Sequence, residues 1–232
     1  MIKKKGRPNF MSQNDFWLLE ELNPVELDAY FRLGASPLAG TDEAGRGPLA
    51  GPLVAAAVIL DPNQAYPGVG DSKKLSALER GKAFEIIVSR AVVWAWTGVE
   101  ASEVDRLNPL RAALLAMRRA VAALVIRPAL VLVDGNVKPD LEVPARTLVR
   151  GDERSLSIGA ASILAKVTRD RLMVEWHGRY PQYNFDQHKG YGTKKHYEAL
   201  RLYGPSPCHR LSFRGVKSEL GVPASLDFEA QI

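Results

Sequence analysis

The sequence predicts an α/β fold: a mixed sheet flanked by helices, with a helical lobe at its C-terminal end. Three observations carry this. Short apolar runs, "LVAAAVIL" (53–60), "AVVWAWTGV" (91–99) and "ALVLVDG" (129–135), read as strands, the first and third buried on both faces. Stretches with helix start and stop signals lie between and after them. Beyond residue 156 every periodic segment is helical in pattern. Strands alternating with helices make a helix-covered sheet, and 232 residues suffice for one good-sized core.

The elements follow in order. In "NPVELDAYFRLG", Asn23 caps a helix, Pro24 occupies its first turn and Gly34 stops it. With "NDFWLLEEL" before it, this forms a helical N-terminal extension over 1–36. "SALERGKAFEIIVSR" opens with a capping box, Ser76 to Glu79. Asn108-Pro109 starts a helix expected to reach about Ile126, with Pro128 as its limit. "ARTLVRGD" (145–152) reads as a short strand ending in an acid. "SIGAASILAKVTRDRLMVEWHGRY" is a long helix with a small-residue face, and "TKKHYEALRLYGPSP" a last helix, capped by Thr193 and stopped by Gly204 and Pro205. One domain is expected over 37–220, including the helical lobe from about 178, followed by a tail at 221–232.

Composition excludes several classes. The longest apolar run has eight residues, far too short to span a bilayer, and "MIKKKGRPNF" has no apolar stretch behind its basic start. Neither membrane anchor nor secretory signal is expected. A single cysteine, Cys208, excludes an internal disulfide and fits a reducing cytoplasm. Net charge is +5, and 186–217 hold seven Lys/Arg against two acids, so this region alone accounts for the excess. Such a basic region suits a polyanion partner, or simply a solvated face.

α/β proteins place function at strand ends. Acids occupy three of these: Asp42-Glu43, Asp134 and Asp152. Singly, an Asp before Gly is an ordinary turn residue. Together, four carboxylates in one site would repel one another unless cations neutralise them, and oxygen-only ligands select hard ions such as Mg²⁺ or Mn²⁺. The set suits two-metal phosphoryl chemistry. Because neighbouring strand residues point to opposite faces, the strand is expected to bend or end at Asp42-Glu43, with Gly45 and Gly47 permitting it.

The stretches "GTDEAGRGPLAGPLVAAAVIL", "GDSKKLS", "LVDGN", "RGDERSLSIGAASILAKVTRDR", "GYGTKKHYEAL" and "GPSPCHRLSF", in this order, resemble bacterial ribonuclease HII, the type 2 ribonuclease H family, over about residues 38–216. The resemblance implies a ribonuclease H-like fold with a C-terminal helical extension. It also implies Mg²⁺- or Mn²⁺-dependent cleavage of RNA in RNA–DNA hybrids, and cutting 5′ of single ribonucleotides embedded in duplex DNA, leaving 3′-hydroxyl and 5′-phosphate. By the motif match, Asp42, Glu43, Asp134 and Asp152 would be catalytic metal ligands. Gly45, Arg46 and Gly47 would bring backbone against the ribonucleotide and read its 2′-hydroxyl, the group that separates RNA from DNA. Arg46 would also grip the adjoining phosphate. Tyr191 would pack on the sugar that follows.

Ser72, Lys73, Lys194 and Lys195 are further backbone-contact candidates. The last two stand in a first helical turn, where positive charge opposes the macrodipole unless a phosphate docks there. Asp170, Asp71, Asp105 and Asp186 read as structural or surface acids; His177 and His188 are not expected to act as general bases. The family usually has lysine at Arg150 and often isoleucine at Cys208. The N-terminal extension is too short for the substrate-binding domain of the sister enzyme ribonuclease HIII. Leu226 and Phe228 in "SLDFEAQI" resemble a sliding-clamp motif, although Pro223 stands where glutamine is usual. A monomer is expected. Two other readings stay open: a different nuclease on the same fold, which would cut all-DNA duplexes, and a non-catalytic hybrid binder.

Overall fold

The computed structural model describes residues 18–69 and 75–217. Five strands, β1 (Leu38–Ala44), β2 (Leu53–Ile59), β3 (Val93–Val99), β4 (Leu130–Asp134) and β5 (Ala145–Leu148), form one mixed sheet in the order β3-β2-β1-β4-β5. β2 pairs antiparallel with β1 and β3, while β4 runs parallel to β1 and β5. Every residue of β2 is buried, because both faces of the sheet are covered. Ala55 and Ala57 face α5 (Pro109–Ala122); Ala56 and Val58 face α3 (Ala77–Arg90) and α7 (Leu156–Arg179). The alanines let helix and sheet approach closely.

The closest approach is at Gly40 of β1. A Cβ there would lie 2.2 Å from the carbonyl carbon of Ser157, in the first turn of α7. That contact is backbone, so no rotamer change relieves it. Gly40 therefore sets the β1–α7 spacing two residues before Asp42.

Of the N-terminal extension, α1 (Leu18–Glu21) and α2 (Pro24–Gly34) are described; residues before 18 lie outside the described ones. Asn23 caps α2 through a capping box with Glu26, and Ser76 with Glu79 does the same for α3. α2 carries a buried carboxylate to the N-terminus of α7. Asp28 accepts from Ser155 Oγ (2.6 Å), Ser157 N (2.8 Å) and Ser157 Oγ (2.5 Å). Burial pushes its carboxyl above the ordinary carboxylate range, against these bonds. Asp28→Ala would strand those donors in the interior and is expected to cost about 3 kcal/mol, read as a lowered urea midpoint at unchanged slope.

Two sequence expectations need correction, and one helix was not foreseen. α5 ends at Ala122, not near Ile126. The chain tightens there, Leu124 N donating to Val121 O, and Val125 beyond it is 88% exposed, so a further turn would bury little. A separate helix, α4 (Ala101–Leu107), precedes α5; its cap residue Glu100 makes no side-chain capping bond, so the sequence carried no start signal. Asp152 does not end a strand. β5 stops at Leu148, Arg150 turns left-handed (φ 55°), and Asp152 lies in a one-turn helix, α6 (Gly151–Arg154).

After α7 come a 3₁₀ turn (Pro181–Tyr183), α8 (Phe185–His188), α9 (Lys194–Tyr203) and α10 (Arg214–Lys217). Thr193 caps α9 and Gly204 (φ 68°) ends it, as the sequence predicted. This lobe packs around Tyr183, Phe185, Leu200 and Cys208, and meets the β1–β2 loop through Leu49 and Ala50 and α7 through Met173. Among the described residues no helix is long and apolar enough to cross a membrane.

Candidate active site

Asp42, Glu43, Asp134 and Asp152 line one cavity of about 370 Å³ at the carboxyl ends of β1 and β4. The strand ends one residue past Asp42-Glu43: pairing with β2 runs to Ala44, and Gly45 (φ 99°) follows. What stops sooner is the paired register with β4, whose last partners are Thr41 and Val133. Past that point the β1 edge is open. The Asp42 and Glu43 carboxylates leave opposite faces and both reach the cavity around it.

Each acid is held. Asp42 Oδ1 accepts from Glu43 N (2.7 Å), and the Ser162 hydroxyl of α7 donates to the same carboxylate. Asp134 accepts from Gly151 N (2.7 Å), which fastens α6 to β4 and brings in Asp152. Glu43 pairs with Arg46 at 3.4 Å. Desolvation, then the charges of Glu43 and Asp134, push the Asp42 carboxyl well above its ordinary range. Glu43 is also raised by burial and by Asp134, although Arg46 opposes this. Mutually repelling, desolvated carboxylates, with no Cys or His lining the cavity, match hard divalent cations. Among the described residues they are not drawn into a closed cluster of three or more ligands.

The cavity holds cations the sequence reading missed. Arg80 of α3, which donates to Leu75 O at 2.8 Å, and Lys166 of α7 both line it. Lys166 pairs with Asp170 at 2.7 Å, so Asp170 is an ion-pair partner, as expected, though of Lys166 rather than its arginine neighbours. For Lys166 the available signal was spacing: Ser162, Lys166, Arg169 and Asp170 fall at i, i+4, i+7 and i+8, on one face of α7.

Tyr191 lines the cavity and is 45% exposed, with Lys166 Nζ 5.9 Å from its ring. Its loop is pinned to the segment after β1: Leu49 N donates to Gly190 O (2.9 Å), and a Cβ on Gly190 would meet Ala50 O at 2.3 Å. The two glycines around Arg46 have different reasons. Gly45 has φ 99°, and its missing Cβ makes room for Arg169, whose Nε would be 2.2 Å away. So Gly45 is a glycine for the protein's own packing. A Cβ on Gly47 would meet nothing within 4 Å; it is exposed, with open space above it.

Lys194 and Lys195 are exposed and do not line the cavity; Lys194 lies 3.9 Å from Glu198. Ser72, Lys73 and Asp71 lie outside the described residues, as does the tail at 221–232. Asp105 accepts from Leu211 N and Ser212 N, and Asp186 pairs with His177 at 3.2 Å, both structural roles. A larger cavity, about 540 Å³, opens between α5 and residues 140–143, but it shares no lining residue with the acids.

Residues 39–216 match the family model described as Ribonuclease HII. Among curated relatives, Ribonuclease HII of Idiomarina loihiensis is 54% identical over 180 residues, covering 78% of this chain and 96% of the relative. That of Geotalea daltonii is 48% identical over 211 residues, covering 90% and 98%. Among solved structures, ribonuclease H2 from Pyrococcus horikoshii superposes with a TM-score of 0.67 at 27% identity, covering 78% of this chain and 96% of that one. A PCNA:RNase HII complex from Archaeoglobus fulgidus matches with a TM-score of 0.61 at 25% identity, covering 76% and 95%. A mixed sheet ending in buried acids, matched in sequence across its whole domain, leaves one assignment: this chain belongs to the ribonuclease HII family, metal-dependent endoribonucleases acting on RNA–DNA hybrids.

Proposed function

We propose that the chain cuts on the 5′ side of a single ribonucleotide embedded in duplex DNA, as well as RNA within hybrids, leaving 3′-hydroxyl and 5′-phosphate. One observation carries this reading. The cavity lined by four carboxylates is bordered by Gly45, beside the exposed Arg46 and Gly47, and by the half-exposed ring of Tyr191. Gly47, with open space above its Cα, lets backbone approach a sugar closely enough to read a 2′-hydroxyl. Tyr191 offers a flat face for the following sugar. Arg80 and Lys166, cationic and inside the cavity, suit the scissile strand's phosphates.

Asp42, Glu43, Asp134 and Asp152 would hold Mg²⁺ or Mn²⁺. Two such ions would supply water activation and charge neutralisation at the leaving oxygen. The residues themselves do the rest. Ser162 and Glu43 N orient the Asp42 carboxylate. Gly151 N keeps Asp134 directed and α6 in place. Arg46 moderates the Glu43 charge until a phosphate competes for it.

The test is cleavage of a DNA duplex containing one ribonucleotide, with Mg²⁺ or Mn²⁺, against the all-DNA duplex. A single cut 5′ of the ribonucleotide is expected. A cut in the all-DNA control points to another nuclease on this fold, and binding without cleavage to a hybrid binder. For partners, an archaeal relative is solved with PCNA. We infer that Leu226 and Phe228 dock on a sliding clamp, so deleting 221–232 is expected to abolish clamp pull-down; unchanged pull-down would refute it.

A further inference from the structure

Arg169 and Arg210 are both fully buried. Buried guanidinium groups normally face carboxylates. These two face carbonyls, all from one segment. Arg210 donates through Nη2 to Gly45 O (2.6 Å), through Nη1 to Arg46 O (3.0 Å), and through Nη2 and Nε to Gly51 O (3.0 and 3.2 Å). Arg169 donates through Nε to Pro52 O (2.9 Å) and through Nη2 to Ala50 O (3.1 Å), and its Cζ lies 5.9 Å from the Tyr191 ring. The two come from α7 and from the segment after α9, and they meet beneath the loop joining β1 to β2. Arg210, desolvated beside Arg169, has its proton affinity pushed down to about 10.

Two like charges buried together are unfavourable, so their placement needs a compensating use. Peptide planarity supplies one. In a trans peptide the N–H points opposite to the preceding C=O. Arg210 draws the Gly45 and Arg46 carbonyls inward, so the N–H groups of Arg46 and Gly47 face away from it. Both of these residues are exposed. The buried pair thus turns two consecutive donors outward and backs them with positive charge.

We propose that Arg169 and Arg210 are positioning residues for ribonucleotide discrimination: untouched by substrate, they fix the Gly45–Gly47 loop in its reading conformation. The inference rests on the reading of that loop given above. Arg169 serves both halves, since Gly45 folds over its side chain and Tyr191 lies across its guanidinium. Lysine keeps the charge but cannot span three carbonyls.

The experiment measures affinity of Arg210→Lys for a duplex with one ribonucleotide and for its all-DNA counterpart, in Ca²⁺, together with single-turnover cleavage in Mg²⁺. The expected result is a fall of about tenfold or more in the ribonucleotide-to-DNA affinity ratio, with all-DNA binding retained. kcat/KM should fall about a hundredfold, the scale for displacing a reacting centre by roughly 1 Å. Stabilisation by metal, read as a thermal shift, should match the parent. A ratio equal to the parent's in the folded variant, whether both affinities are retained or fall together, would overturn the proposal. If Arg210→Lys does not fold, Phe213→Leu takes its place, since the Phe213 ring lies 5.1 Å from the Arg210 guanidinium; a lowered ratio is again required. A parent protein with no preference for the ribonucleotide duplex would instead refute the reading of the loop itself.

Discussion

Asp42→Asn is expected to lower kcat by about a thousandfold or more while raising the unfolding temperature of the metal-free protein. The two effects share one cause. Asp42 is 6% exposed, and its charge is opposed by burial and by the neighbouring Glu43 and Asp134. Asparagine keeps an oxygen for Glu43 N and the Ser162 hydroxyl but removes that charge, so the apo fold loses a repulsion. A gain of about 1 kcal/mol would appear as roughly 2–4 °C in a domain of this size. The same charge is what a divalent ion needs, and losing several kcal/mol of Lewis-acid stabilisation is worth about three decades in rate. The measurement pairs single-turnover cleavage with thermal unfolding, each with and without Mg²⁺. Metal should stabilise the parent protein and leave the variant nearly unmoved. Activity within tenfold of the parent would remove Asp42 from the site. A variant both inactive and destabilised would show that Asp42 serves the fold instead.

The contrast between what the sequence revealed and what it hid follows the range of the interactions involved. Asp134 was legible because it ends the apolar run "ALVLV", and Asp42 and Glu43 because two adjacent carboxylates ahead of the buried run at 53–60 have few structural uses. The caps at Asn23, Ser76 and Thr193 were legible because a cap closes over two or three residues. Asp152 was found as an acid at the end of an expected strand and again through its motif, but its setting was misread: the left-handed turn at Arg150 goes with the Gly151–Asp134 bond, across 17 residues. Arg169 and Arg210 were hidden altogether. Their partners lie 117 to 165 residues away, and an arginine in "VTRDR" or "CHRLS" reads locally as a surface charge. Gly45 has a second, packing reason to be glycine that the sequence did not reveal, since only the fold shows the arginine beneath it.

The same limit hid two histidines that should make this fold sensitive to acid. His196 and His209 are buried and share one bond, Nε2 to Nε2, at 3.0 Å. Their protons can be assigned from their other partners. The Tyr191 carbonyl can only accept, so His196 Nδ1 carries a proton. The Ser206 amide can only donate, so His209 Nδ1 is bare and its Nε2–H donates to His196. This chain of donors needs both rings neutral, because a proton on His196 Nε2 would face the N–H of its neighbour. Desolvation, and beside it a neighbouring histidine, His188 for His196 and His196 with His188 for His209, push both rings down to about 4. An unfolded histidine titrates near 6.5, so between about pH 6.5 and 4 the unfolded chain binds protons that the folded chain excludes. Stability is therefore complete above this window and falls as pH drops through it. The limiting slope is about 1.4 kcal/mol per pH unit for each ring, a large share of the roughly 5–15 kcal/mol typical of a domain. Urea unfolding at pH 7.5 and 5.0 is expected to show this fall, and His196→Gln/His209→Gln to flatten it while being less stable at pH 7.5. Asp42 and Glu43, raised rather than lowered, act in the opposite direction but are common to both proteins. The difference in slope thus isolates the histidines, and equal slopes would refute the assignment. Acid should first break the His196–His209 bond, because the nitrogen that gains the proton is its acceptor, while the Nδ1–H donation to the Tyr191 carbonyl, which a charged ring favours, persists.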